Sequence, residues 1–256
     1  MSLPGACLMR LKFILLISFS WMGFVLQAQK GQTTLGLQLK PMFASKFFES
    51  GPQRFLGDSL DATMKQQLGW NTGVVIRKGI NDMWSIESGI SMVQRNFNLQ
   101  FKTERYEVES SLKYKMVGYE IPVQALIYVQ LSPKWFINGS GGVALDFYPS
   151  NLYKTESVLK DSIYVDFYAK TYRTRWAMLA ATANLGFEYR TKDHGFFYVG
   201  ASYHRPMGDI ALTQLRVESK GAGNDLWMPV GGTYLTLDLR YFVKPEKPEV
   251  KQKKRP

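Results

Sequence analysis

Nine charged side chains carry most of the chemistry this sequence could do: Lys40, Arg77, Glu87, Arg95, Glu120, Glu188, Arg190, Asp238 and Arg240. Gathered in one interior they would be mixed in sign, and they would neutralise one another through buried ion pairs. Glu120 taken alone could serve as a general acid, but no partner stands at a fixed spacing from it, so an ion-pair role is expected. Ser202 and His204 share a face of an extended segment, and a Ser-His pair can activate a hydroxyl for lipid deacylation. No third orienting residue is identifiable by spacing, so this pair reads better as a polar rim.

His194 and His204 are the only two histidines, and so placed they make no zinc site. Asn138-Gly139-Ser140-Gly141-Gly142 has the look of a phosphate-binding turn, yet it lacks the following helix and the Lys-Ser/Thr such a loop requires. Small residues that permit close packing in a narrow interior are the better account. No cofactor motif is found, and no catalytic or metal-binding set is predicted.

These side chains must be positioned by strands. Apolar residues recur at every second position in segments near 33–43, 67–79, 83–97, 113–129, 133–148, 175–191, 195–205 and 231–243, and period two is the signature of a strand. In the last of them Thr233, Leu235, Leu237, Leu239, Tyr241 and Val243 share one face, and Tyr234, Thr236, Asp238, Arg240 and Phe242 the other. The nine charged residues all fall on the face opposite the apolar one.

Long and short connections alternate strictly. Long loops are expected near 44–66, 98–112, 149–174 and 206–230, and tight turns at Gly79–Asp82, Leu131–Lys134 and Lys192–Gly195. Up-and-down transmembrane barrels show this asymmetry, with long loops outside and short turns in the periplasm. Most segments have 11 or more residues, as tilted membrane strands require. Trp70, Trp84, Trp135, Phe147, Trp176, Tyr189, Tyr203 and Tyr241 lie near segment ends, where aromatic girdles would meet the membrane interfaces. The predicted fold is all-β: an eight-stranded antiparallel up-and-down transmembrane β-barrel. A soluble lipocalin-like barrel is the rival, differing in which face is apolar. In an eight-stranded barrel side chains fill the interior, so a plugged lumen is expected rather than a pore. Pro122, in the middle of a strand, is expected to mark a bulge.

Residues 1–28 read as an export signal: Arg10 and Lys12 precede an apolar run from Phe13 to Leu26, and Leu26-Gln27-Ala28 suits cleavage. The run is about 14 residues long, too short for a helical span. Cys7 is the single cysteine and would leave with the signal, excluding disulfides and thiol chemistry from the exported chain. Net charge falls from +11 to 11 − 2 = +9 on cleavage. The barrel domain is placed at 29–244 and a basic tail at 245–256; the tail reads as a solvated end, with no nucleic-acid partner expected.

The stretch Tyr119-Glu120-Ile121-Pro122-Val123, the signal ending Leu-Gln-Ala-Gln and the closing strand Leu235 to Phe242 resemble the PorT-like outer-membrane β-barrel proteins of the Bacteroidota. The resemblance implies an outer-membrane location, with lipid as surroundings, and leaves the role open. The expected role is structural or partner-binding through the outer loops, with an envelope protein as partner. A lipid-modifying enzyme and a narrow pore or secretion accessory are the alternatives. The segment Tyr164 to Arg173 alternates Tyr164, Asp166, Tyr168, Lys170 and Tyr172 on one face, so a hairpin rising above the membrane as a solvated extension is expected there.

Overall fold

The structure is a computed structural model that describes residues 32–45, 50–57, 59–219 and 222–244. The expected signal at 1–28 and the tail at 245–256 lie outside the described residues. Alternation of apolar and polar residues dictates strands, and the described residues contain strands and turns with no helix.

Eight strands follow the eight periodic segments: β1 (Thr33–Phe43), β3 (Leu60–Gly79), β4 (Trp84–Thr103), β5 (Val108–Gln130), β6 (Trp135–Phe147), β9 (Ala177–Arg190), β10 (Phe196–Pro206) and β13 (Tyr234–Phe242). They hydrogen-bond in the order β1-β13-β10-β9-β6-β5-β4-β3, and β3 pairs back onto β1. Every strand of this ring is therefore antiparallel to a neighbour on each side. A ring is what hydrocarbon demands, because an unpaired backbone edge there costs several kcal/mol per group.

The faces are those of a membrane barrel and not of a lipocalin. Leu37, Ile90, Val123, Leu185, Val199 and Leu239 point outward and are exposed, whereas Arg77, Glu87, Glu188 and Asp238 are buried inside. Among the described residues no helix is long and apolar enough to cross a membrane; the crossing is made by strands.

Short turns close one end with one recurring device. Asn81 Oδ1 accepts hydrogen bonds from the Met83 and Trp84 amides at 2.9 and 2.7 Å, Ser132 Oγ from the Trp135 amide at 3.2 Å, and Thr191 Oγ1 from the His194 amide at 2.9 Å. Side-chain oxygens thus stand in for backbone acceptors in each tight turn. Gly195 takes φ +83°, a conformation that favours glycine.

At the other end the expected long loops are mostly strand. β3, β4 and β5 run on well past the segments read from periodicity, to 20, 20 and 23 residues. The remaining strands are β2 (Gln53–Leu56), β7 (Leu152–Lys160), β8 (Ile163–Arg173), β11 (Ala211–Ser219) and β12 (Ala222–Val230). β2 lies against β3, and the other four form a second sheet in the order β12-β11-β8-β7. The hairpin from Tyr164 to Arg173 is therefore no freely solvated extension. Its alternate residues Val165, Phe167, Ala169 and Thr171 are buried, facing Leu99, Phe101, Leu112 and Tyr114 of the prolonged β4 and β5 in one apolar core. The Phe101 and Phe167 rings lie 4.3 Å apart. Each fully buried Phe or Leu contributes about 1.5–3 kcal/mol, enough to order segments that would otherwise be loops. The result is a folded outer lobe on top of the ring.

Pro122 makes no bulge. Register across β4 and β5 is unchanged from Ser88↔Val123 to Ser91↔Glu120, although the positions between them are unpaired on that side. Losing one proline N–H interrupts the ladder locally without inserting a residue. The bulge lies instead in β3, between Gln67 and Trp70. In the glycine-rich β6, Gly142 alone is sterically required: a Cβ there would sit 2.1 Å from the Val123 carbonyl oxygen, while Gly139 and Gly141 have room.

Candidate functional site

The ring interior collects the charged residues because every second residue of each strand faces inward. All nine of the charged residues singled out from the sequence point there; eight are buried and Arg190 is half-buried. Asp146 and His204, at 2% exposure each, complete the set.

Seven of these groups form a chain of alternating sign near the short turns. Arg190 Nε donates to Glu188 Oε1 at 2.6 Å, and Arg77 Nη1 to Glu188 Oε2 at 2.5 Å. Arg77 Nε and Nη2 donate to Glu87 Oε2 at 3.0 and 2.9 Å, and Arg240 Nη1 to Glu87 Oε1 at 2.5 Å. Arg240 Nη2 reaches Asp238 Oδ2 at 2.5 Å, and Lys40 Nζ lies 3.4 Å from the same oxygen. Aromatic rings lid the cations: Phe242 is 3.9 Å from the Arg77 guanidinium and Phe136 3.8 Å from that of Arg190.

A second cluster lies nearer the lobe. His204 Nε2 is 2.8 Å from Asp146 Oδ2, and its Nδ1 is 3.6 Å from Glu120 Oε2. Glu120 Oε2 also accepts from Asn71 Nδ2 at 3.2 Å and Tyr234 Oη at 2.6 Å, and the Tyr234 ring stacks on His204 at 4.6 Å. Between the clusters Gln38, Ser91, Gln124, Thr182, Asn184 and Ser202 supply a neutral polar layer. Across both clusters four cations and three anions give 4 − 3 = +1, one cation and two anions give 1 − 2 = −1, and the interior is neutral apart from His204. Burial of so many charges is tolerable because they stand beside opposite charges, although Arg95 Nε and Nη2 and Asp146 Oδ1 are buried without a hydrogen bond.

Glu120, Asp146 and His204 present ligand atoms within 4.8 Å of one another and could in principle hold a metal. The residues fit one poorly. Arg95 Nη2 lies 3.9 Å from Asp146 Oδ2, so a fixed cation already stands beside the carboxylates and opposes a second positive charge, and the two imidazole nitrogens turn toward different carboxylates.

His204 is accordingly no rim residue, and Ser202 and His204 do not form a nucleophilic pair. Ser202 Oγ donates to Asp238 Oδ2 at 2.6 Å, while the imidazole is engaged by Asp146. Both side chains face the lumen, away from lipid.

The aromatic set lies on the outer face. Trp84, Trp135 and Tyr241 are exposed beside the short turns, with Tyr189 packed on Trp135 at 4.9 Å. Trp70, Phe147, Trp176 and Tyr203 lie toward the lobe, with Phe147 and Trp176 at 5.1 Å edge to face. Asp146 escaped sequence reasoning, although it falls in register with Glu120; inward alternation along β6 was the signal that marked it.

Residues 28–211, more than half of the chain, match the family model described as outer membrane protein beta-barrel domain. The chain belongs to that family. It is an outer-membrane β-barrel protein, with the lobe on the side of the long connections. Among solved structures, the outer membrane protein OprG from Pseudomonas aeruginosa is similar at 10% identity, covering 84% of this chain and 98% of its own with a TM-score of 0.49. The translocator domain of the autotransporter NalP from Neisseria meningitidis shares 8% identity over 92% of this chain and 95% of its own, with a TM-score of 0.22. No curated protein matches the chain.

Proposed function

We propose that the protein is a non-enzymatic outer-membrane barrel that holds a folded β-lobe outside the cell for a protein partner. The observation that carries this reading is the outward face of the β12-β11-β8-β7 sheet, on which Tyr153, Tyr164, Tyr172, Leu212 and Trp227 are exposed. Tyr172 and Trp227 stack at 6.3 Å, and Lys170 lies 5.6 Å from the Tyr153 ring. Rigid aromatic side chains on an ordered sheet are the residues that dominate protein interfaces. Loops that only shielded the barrel mouth would have no use for them on the far side.

The balance of fixed cations and anions in the interior supports a structural role for the ring, and Ser202 and His204 are committed to carboxylates. We further propose, from the resemblance of Tyr119 to Val123, that the protein is one of the PorT-like barrels, a membership that leaves its role open. A photo-crosslinking residue in place of Tyr164 tests the proposal in intact cells. A discrete adduct that disappears in a Tyr172→Ala, Trp227→Ala background is expected. Adducts no stronger than those from a crosslinker at lipid-facing Val199 would overturn it.

A further inference from the structure

Just beyond the outer aromatic girdle the prolonged strands carry an unbalanced basic patch. Lys65 of β3 and Lys113 of β5 both stand opposite Asn98 of β4, and Lys115 stands opposite Asn96. Strands about 4.8 Å apart put the Lys65 and Lys113 backbones roughly 10 Å from each other, with Lys115 about 7 Å along from Lys113. Their alternate neighbours Met64, Leu112, Tyr114 and Met116 are buried in the lobe core, so the three lysines must face outward. Lys113 and Lys115 are exposed and Lys65 is half-buried.

No acid shares that part of the face. Adjacent positions are Thr63, Gln67, Gln94, Gln100 and Ser111, and none of the three lysines makes an ion pair with a described residue. One row farther out Lys102 stands between Asp61 and Glu109, so the cationic excess is local. Its height is set by the girdle: Tyr119 stands opposite the girdle residue Phe147, and Lys115 lies four residues beyond Tyr119 on the same face, roughly 13 Å along a tilted strand. That level is the headgroup layer above the apolar band, where long basic side chains reach phosphates.

We propose that Lys65, Lys113 and Lys115 bind the phosphate groups of a phosphorylated glycolipid in the outer leaflet. Three cations cover the two or more charges of such a headgroup, while the Asn96 amide between them is held by Gln94 and the Leu68 carbonyl. This site is independent of the partner-binding face, which lies on the other sheet of the lobe.

The test is native mass spectrometry of the full chain in detergent with diphosphoryl lipid A, and with the same lipid stripped of phosphate. Retained adducts of the phosphorylated lipid are expected, at least about tenfold weaker in K65Q/K113Q/K115Q, weaker in high salt, and unchanged in K102Q. Unboiled gel mobility shows whether the triple variant is folded, and the stripped lipid tests the unmodified chain. Equal binding of the stripped lipid, or a folded triple variant that binds as the unmodified chain does, would overturn the proposal.

Discussion

Glu87 is the node on which the inner charge chain depends, and Glu87→Gln should destabilise the barrel severely. Its two oxygens accept three hydrogen bonds, two from Arg77 and one from Arg240, and the residue is 3% exposed. A glutamine keeps the shape and one acceptor, but it turns an amide donor toward a guanidinium and removes one negative charge from a balanced interior. Arg77 would retain Glu188, and Arg240 would retain Asp238, so neither cation is orphaned completely. Breaking one side of a buried pair costs about 3–5 kcal/mol, which is roughly two to three and a half powers of ten in the unfolding equilibrium at about 1.4 kcal/mol per tenfold. Urea unfolding in lipid vesicles, followed by tryptophan fluorescence, measures it. Glu87→Gln combined with Arg240→Met should cost less than the sum of the single changes, because the second removes a charge that the first left underpaired. A loss below about 1 kcal/mol for Glu87→Gln, the size of an exposed pair, would refute a tightly packed, desolvated interior.

Phe167→Ala should cost about 3–5 kcal/mol of lobe stability, because the side chain is fully buried against Phe101; protease should then cut the lobe while the ring keeps its fast unboiled mobility. Gly200→Val should prevent or cripple assembly, since a Cβ would fall 2.2 Å from Tyr198 Oη and 2.6 Å from the Leu185 carbonyl oxygen, whereas Gly139→Ala, with nothing nearer than 3.8 Å, should leave thermal stability unchanged. Burial pushes the Tyr114 phenol up from its ordinary value of 10.0. The folded lobe therefore favours the neutral phenol; that contribution is complete below about pH 10 and is lost as pH rises through the elevated value, so an alkaline loosening followed by fluorescence should be reduced in Tyr114→Phe.

The ring was legible because a barrel strand has one dry and one wet face, and sequence period two records that directly: Thr33–Phe43 was delimited to the residue. The lobe was not, because its strands alternate between a private core and water: the alternation from Tyr164 to Tyr172 reads as a solvated hairpin, and Val165, Phe167 and Ala169 find their packing partners only when β4 and β5 are seen to continue beneath them. Which charges face inward followed from alternation; which pair with which did not. The Arg77–Glu188 contact joins residues 111 apart, and only the order of strands around the ring brings them together. His204 was misplaced to the rim because its strand was expected to end near it, at 205; the lobe above β10 makes that strand's end an interior position. Pro122 failed as a bulge marker because one missing N–H can be absorbed without a change of register.

The central claim, a ring spanning the outer membrane with an ordered lobe on its outer side, is tested most directly by single-cysteine labelling in intact cells with a membrane-impermeant maleimide. Tyr164→Cys, on the lobe, should label at once, and Lys192→Cys, in a tight turn at the opposite end, only after the outer membrane is permeabilised. Labelling of Lys192→Cys in intact cells with Tyr164→Cys silent would contradict the account.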